Sequence, residues 1–570
     1  MPQHIVIIGA VALGSKAAAR FKRLEPDSRV TLVDRGKLIA YSGCGIPYYV
    51  SGEVNEEREL QSTAFHMLRD TEFFRKTKGV DVRIETEALA IDRKNRTVNL
   101  RHLPTGNEEI LAYDQLVLAT GSTPFQLRVP GTALQGVHTI QDPESARQIR
   151  SRIAGGKVKR AVVIGAGFIG MEMAVALADL WDVPTTVIEY RDQILPGVIG
   201  NNLARMAQRR MEQKGITFLL GEQAKAFESD DQTHVARVAM ETTTLPADLV
   251  IVAVGVRPNS ALARQAGLEV SERGAVQVDE YLRTSDPHIF AGGDCVDLRH
   301  LLTDMPVYLP MGSLANRQGR IIGDNLAGGR SKFSGVTGSW CVKLFDLAAA
   351  GTGLTLQGAK NAGFNALSVH VSQLDRAHFF PEKGLMSLEL VIERDTGRML
   401  GLQGLADMGD ALVGKVNVVA ALLPSAPNAR MLSSLEMAYS PPFSAALDIL
   451  NVLGNVADNI LANRYRGIHA DDFAAMWKER EHNDLFFLDC RETLEAEKYA
   501  HAHPEFWHNI PQGELAERLK DIPENHRLVL ICNTGARAYE ALVTLNNANF
   551  NDVVCVEGGM TALTAAGVQV

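Results

Sequence analysis

A multidomain α/β fold is what the sequence predicts, on three observations. A unit of strand, glycine turn, helix, strand and closing acid occurs twice, about 156 residues apart. A middle region then alternates strand and helix with no further turn of that kind, and the C-terminal stretch forms a separate strand-and-helix unit. At about 100–200 residues per domain, 570 residues correspond to roughly three to five domains. With 46% hydrophobic residues and six cysteines, disordered, collagen-like and disulfide-scaffold chains are excluded. The formal charge of −9 lacks the basic excess that a nucleic-acid partner demands. No CxxC pair offers zinc spacing, so the expectation is a soluble, cytoplasmic protein with reduced thiols and no metal.

The first unit opens with the β-branched strand His4–Ile8, then Gly9 and Gly14, a small-residue helix ending near Lys22 and Arg23, and the strand 30–33 closed by Asp34. The second opens with the strand 160–164, then Gly165, Gly167 and Gly170, a helix from about Met171, and the strand 185–188 closed by Glu189. The acids stand 20 residues after Gly14 and 19 after Gly170, where a carboxylate accepts from a ribose. Glycine lets backbone approach a pyrophosphate, and the following helix aims its free N–H groups at it. Val11 replaces the second glycine of the first turn. Residues 5–19 imitate a signal peptide, but no Lys or Arg precedes them and Lys16 interrupts them. Residues 161–181 are almost long enough to cross a bilayer, but Glu172, Asp179 and three glycines predict a strand, a turn and a buried helix.

Further along, a strand runs into Thr120, Gly121 and Ser122, another into Gly255 with Arg257, Pro258 and Asn259 beyond, and a third into Gly292, Gly293 and Asp294. Together these resemble a two-dinucleotide flavoprotein of the pyridine nucleotide-disulfide oxidoreductase family over about residues 1–450. The resemblance implies FAD on Gly9, Gly14, Asp34, Thr120, Gly121 and Asp294, and NAD(P)H on Gly165, Gly167, Gly170 and Glu189. Glu189 favours NADH, because a carboxylate repels a 2′-phosphate; Arg191 nearby keeps NADPH open. Residues 340–354 and 385–405 read as strands and 410–423 as a helix, the place of a dimerisation domain in the family, followed by a linker helix over 450–468.

Cys44 stands between Gly43 and Gly45, with Pro47 beyond, in a loop or helix start whose N–H groups would stabilise a thiolate. This loop resembles the coenzyme A-disulfide reductase and NADH oxidase/peroxidase branch. The second cysteine of glutathione-reductase-like relatives is replaced by Tyr49, so oxidised Cys44 is a sulfenic acid, a mixed disulfide or a persulfide. Cys532 ends an apolar strand and meets a loop and helix start carrying Arg537, a nest for an anionic sulfur. With Asp489, Arg491 and Glu492 upstream and Glu557, Gly558 and Gly559 downstream, it resembles a rhodanese domain in which Cys532 carries sulfane sulfur. Cys295, Cys341, Cys490 and Cys555, in or beside apolar strands, are expected in the core. The resemblance gives Tyr439 as a proton donor to the partner subunit's redox thiol and Lys16, Arg20 and Arg23 as coenzyme A contacts. Phe379 and Phe380 ahead of Pro381 lack the tyrosine hydroxyl the family shows there.

The domains implied are an FAD-binding domain at 1–122 and 250–325, an NAD(P)H-binding domain at 123–249, a dimerisation domain at 326–450 and a rhodanese domain at 468–570. The expected function is an NAD(P)H-dependent flavoprotein homodimer that reduces persulfide, polysulfide, coenzyme A disulfide or another small disulfide through Cys44, coupled to the Cys532 sulfur carrier. An NADH oxidase or peroxidase working through a sulfenic acid, and a sulfurtransferase or redox sensor, are the alternatives. No membrane or nucleic-acid partner is expected.

Overall fold

The computed structural model describes residues 2–570, which form two compact units, 2–190 with Gly221–Val336, and Arg191–Leu220 with Thr337–Val570. In the first unit, a parallel sheet runs in the order Ile289–Ala291, Gln115–Leu118, His4–Ile8, Arg29–Val33, Asp81–Arg83. Its strands are near-continuous apolar runs because both faces are covered, and their core is shared with the helix Leu13–Leu24 and the antiparallel sheet of Thr86–Asp92, Thr97–His102 and Glu108–Ala112; Ile5, Val6 and Ile7 have no exposed surface. Leu13–Leu24 packs beside Gly312–Leu326. A second parallel set places Ala161–Ile164 between Thr185–Glu189 and Leu249–Val252.

The apolar stretch 161–181 resolves as the sequence predicts. The strand Ala161–Ile164 turns into an 11-residue helix, Phe168–Ala178. At 1.5 Å per residue this helix spans about 17 Å, little more than half a bilayer core. Among the described residues, no helix is long and apolar enough to cross a membrane.

The second unit carries an antiparallel sheet in the order Trp340–Leu344, Leu347–Gly353, Met399–Ala406, Leu385–Glu393, Ala366–Leu374. The stretches 340–354 and 385–405, read as strands in the sequence, each form an antiparallel pair, and the edge strand Ala366–Leu374 lay outside the sequence reading. The helix Gly409–Leu422 covers one face. The expected linker helix is Ile449–Leu461, which is no spacer: its apolar side packs on Ala366–Leu374 and Arg430–Ser433. Beyond it, a parallel sheet runs Gly467–Ile468, Val553–Val556, Arg527–Ile531, Leu485–Asp489, Trp507–Asn509. Phe473, Trp477, Phe487 and Trp507 stack edge to face within this part. On the other side lie Leu488, Leu530 and the helix Ala536–Asn547 with three cysteines. Cys295, Cys490 and Cys555 are core as expected, but Cys341 is exposed, because its strand alternates and turns Cys341 outward with Lys343.

A buried polar seam joins the antiparallel sheet to the C-terminal one. Glu557 accepts from the His370 amide at 3.1 Å and lies 3.2 Å from His469 Nδ1. His469 Nε2 bonds Ser368, His370 Nε2 bonds Ser372, and Ser372 bonds Ser387. Burial raises Glu389 to about 7 and Glu557 to about 8, with Glu389 and Asp472 adding repulsion at Glu557. Both carboxyls start from 4.5, so the folded state binds protons that the unfolded chain has released. Their stabilisation is whole below about pH 4.5 and is lost as pH rises through 7 to 8. The thermal midpoint of the second unit is therefore expected to fall by roughly 5 °C between pH 5 and 8. Glu389→Gln and Glu557→Gln should each flatten that slope in differential scanning calorimetry; an unchanged slope would refute the assignment.

Candidate active sites

The two glycine turns are braced alike. Ala10 N–H donates to Asp34 Oδ2 at 2.7 Å, and Ala166 N–H donates to Glu189 Oε2 at 2.7 Å. Each acid thus ties its strand end to the turn before the helix. Asp34 also accepts from Gly36 N–H, yet burial, the largest influence, raises its carboxyl above the usual range. At Gly14 a Cβ would lie 1.8 Å from the Gly9 carbonyl oxygen, so the helix starts hard against the turn. Gly167 is different: a Cβ there would meet nothing within 4 Å, leaving an open cradle at a helix start.

Thr120 is engaged with protein. Its hydroxyl donates to the Asn259 carbonyl at 2.6 Å, and Asn259 Nδ2 donates back to the Thr120 carbonyl at 2.9 Å. This pair locks Ser122–Pro124 to Val256–Pro258 and sets the left-handed turn at Gly121. Asp294 is largely buried, its carboxylate accepting only a 3.3 Å bond from Ser122, and burial raises its carboxyl. Beside it Gln318 accepts from Gly293 N–H at 2.6 Å while its buried Nε2 has no partner. An underpartnered carboxylate, an orphaned amide and an open glycine cradle fit a polyhydroxyl, phosphate-bearing ligand such as a flavin or nicotinamide dinucleotide. Gln318 lay outside the sequence reading, since nothing local marks it.

Cys44 occupies a single helical turn, Gly43–Gly45, that feeds Ile46–Ser51. That helix is pinned by Arg150, which donates to the Tyr49 and Val54 carbonyls at 3.0 and 2.9 Å, and by Trp181 Nε1, which donates to the Val50 carbonyl at 2.7 Å. Tyr49 is buried with the Arg150 guanidinium 4.6 Å above its ring, so packing fills the place of a second thiol. The larger N–H contribution at Cys44 Sγ comes from Gly312, at the start of the helix Gly312–Leu326, with the cysteine's own N–H adding less. It does not win. Burial and the Glu172 carboxylate push the thiol above its ordinary range, against the lowering by Gly312 N–H, which corrects the expected stabilised thiolate. Glu172 itself is raised to about 7 by burial. The visible signal for Glu172 was a lone acid within an otherwise apolar helix.

In the second unit, Cys532 is 1% exposed and its Sγ accepts from Gly535 N–H at 3.1 Å. Gly559 backs the loop so closely that a Cβ would lie 2.2 Å from the Cys532 carbonyl oxygen. Arg537 does not stand as a free charge. It makes a two-point pair with Glu495 at 2.8 and 3.2 Å, and Asn533 Nδ2 donates to the same carboxylate at 2.6 Å. Arg537 holds the Glu495 carboxyl down at about 2. Tyr439 is 51% exposed on the irregular segment after Arg430–Ser433, near exposed Phe443 and Leu447 in sequence. Back in the first unit, Lys16 and Arg23 are exposed on their helix, whereas Arg20 is paired with Asp324. Among the described residues, no group of His, Cys, Asp and Glu could hold a metal.

Comparison with known proteins matches residues 3–316 to the pyridine nucleotide-disulphide oxidoreductase model, 340–448 to the dimerisation domain of that family and 470–566 to the rhodanese-like domain. The chain is similar to an NAD(P)H coenzyme A polysulfide/persulfide reductase of Pyrococcus horikoshii, 31% identical, over 80% of this chain and 98% of that protein. The solved structure of a NAD-dependent persulfide reductase from A. fulgidus is 38% identical, covers 98% of this chain and 99% of its own, and superposes with a TM-score of 0.92. That of reduced Bacillus anthracis CoADR-RHD is 28% identical, covers 99% and 98%, and has a TM-score of 0.90.

Proposed function

Because the chain belongs to the pyridine nucleotide-disulphide oxidoreductase family, we propose that it is an NAD(P)H-dependent flavoprotein that reduces persulfides and polysulfides at Cys44 and carries sulfane sulfur on Cys532. The observation that carries this reading is the setting of two thiols: Cys44, whose partner position is filled by buried Tyr49, and Cys532, whose Sγ is held by a loop N–H.

FAD is held by the first glycine turn with Asp34, Thr120, Gly121, Asp294 and Gln318, and NAD(P)H by the second turn with Glu189, which favours NADH. Bound there, the flavin supplies two-electron transfer between a nicotinamide and a sulfur centre. Cys44 thiolate takes the outer sulfur of a persulfide and releases the parent thiol; two-electron reduction of the Cys44 persulfide then releases hydrosulfide and restores the thiolate. Gly312 N–H steadies the sulfur anion, and Glu172 holds a proton at the site near neutral pH. In a cytoplasmic homodimer Tyr439 serves the partner subunit's thiol site, and Lys16 and Arg23 meet the phosphates of a coenzyme A-type thiol, with Arg20 retained by Asp324.

Anaerobic turnover tests this reading: NADH oxidation should release sulfide from inorganic polysulfide or glutathione persulfide in matching amounts. NADH consumption only with oxygen or peroxide would instead mark a sulfenic-acid oxidase. At the second centre, Glu495 holds both Arg537 and Asn533, so Glu495→Ala is expected to slow sulfur transfer from thiosulfate about tenfold, the worth of roughly one charge-assisted hydrogen bond. An unaltered rate would remove the bracing role from Glu495.

A further inference from the structure

Cys490 has no task in the function proposed above, yet it stands beside the sulfur carrier. The strands Leu485–Asp489 and Arg527–Ile531 are parallel, and their last registered pair is Asp489 with Ile531. Cys490 N–H donates to the Ile531 carbonyl at 2.8 Å, closing that last pair, and the Cys490 carbonyl accepts from Gln512 N–H at 3.1 Å instead of extending the ladder. Cys490 and Cys532 are therefore the residues that immediately follow the last registered pair on the two neighbouring strands. Neighbouring strands lie about 4.8 Å apart, within the roughly 4.4–6.8 Å between Cα atoms that a disulfide spans. Both side chains face the same side of the sheet, in one buried cluster with Leu488, Leu530 and Ala538. Cys532 Sγ is anchored by Gly535 N–H, whereas Cys490 Sγ makes only a 3.8 Å contact with the Leu488 carbonyl.

We propose that Cys490 is a resolving thiol for Cys532. When Cys532 carries a sulfur that no acceptor collects, Cys490 attacks Cys532 Sγ. The bond from Cys532 Sγ to the outer sulfur breaks, hydrosulfide leaves with the electron pair, and a Cys490–Cys532 disulfide forms. Persulfide and thiol become disulfide and hydrogen sulfide, so no outside oxidant enters; a small thiol reopens the disulfide by exchange. The inference rests on Cys532 being the sulfur carrier. Burial and the neighbouring Cys532 push the Cys490 thiol well up, so little thiolate is present at neutral pH and the step accelerates as pH rises. Adjacency offsets this through a high effective concentration.

The full-length holoenzyme, loaded with inorganic polysulfide without NADH, then alkylated and digested, provides the test by peptide mass mapping. Cys532 is expected to gain one sulfur atom first; later, free sulfide appears in step with a Cys490–Cys532 cross-linked peptide, faster at higher pH. In both Cys490→Ser and Cys490→Val the Cys532 persulfide should outlast that of the parent by about tenfold or more. A persulfide that decays equally fast in these variants, or a cross-link to Cys555 instead, overturns the resolving role while leaving the carrier intact. Absence of added sulfur on Cys532 in every form overturns the carrier reading, and this inference with it.

Discussion

Cys44→Ser is expected to lower NAD(P)H-dependent reduction of polysulfide at least about a thousandfold, the scale on which loss of an attacking group is felt. Serine keeps the size and the hydrogen bond but cannot accept a sulfur at neutral pH. The glycine turns, Asp34, Glu189 and Asp294 are untouched, so stopped-flow reduction of the bound flavin by NADH should persist. That split separates a thiol that does the sulfur chemistry from one that only packs near the cofactor. Retention of a tenth or more of the parent's polysulfide turnover would end the claim for Cys44.

Gly14→Val should be the most damaging single change in the first unit, and Gly167→Ala its instructive counterpart. At Gly14 the new Cβ would press on the Gly9 carbonyl oxygen and carbon, at 1.8 and 3.0 Å. Gly9 cannot retreat, because its amide is held by the Val33 carbonyl at 2.8 Å. A cost on the order of 3 kcal/mol or more is expected, seen as lost flavin absorption and a lower thermal midpoint. At Gly167 the Cβ enters open space in an ordinary backbone conformation. The thermal midpoint should stay, while the KM for NADH rises about tenfold through crowding of the ligand itself. If Gly167→Ala instead destabilised the protein and left KM alone, the cradle would be structural.

What could be read in the sequence was what local chemistry imposes. A glycine turn, a helix start and an acid about twenty residues on must recur together where backbone approaches phosphate, so Gly9, Gly14, Asp34, Gly165, Gly170 and Glu189 stood out. The Gly312 amide at Cys44 and the Gln318 amide at Gly293 arise only when distant segments meet, and no spacing announces them. The strand Ala366–Leu374 was hidden by its own composition: Ser368, His370 and Ser372 alternate along it, so its inward face reads as polar although it is buried. Cys341 misled for the opposite reason. Its apolar neighbours concealed an alternation that Lys343, on the same outward face, could have revealed.

The seam around Glu557 bears on modularity. Glu557 directly precedes the Gly558 and Gly559 pair behind the Cys532 loop, and its carboxyl is roofed by His370 from the antiparallel sheet. The part that holds Cys532 is thus not a bead on a string. It borrows part of its floor from the neighbouring sheet, and excising residues 468–570 would open to water a carboxyl that the intact protein keeps neutral up to about pH 8. Fusion has here become architecture, and the Cys532 loop is braced through Glu557 by the neighbouring sheet.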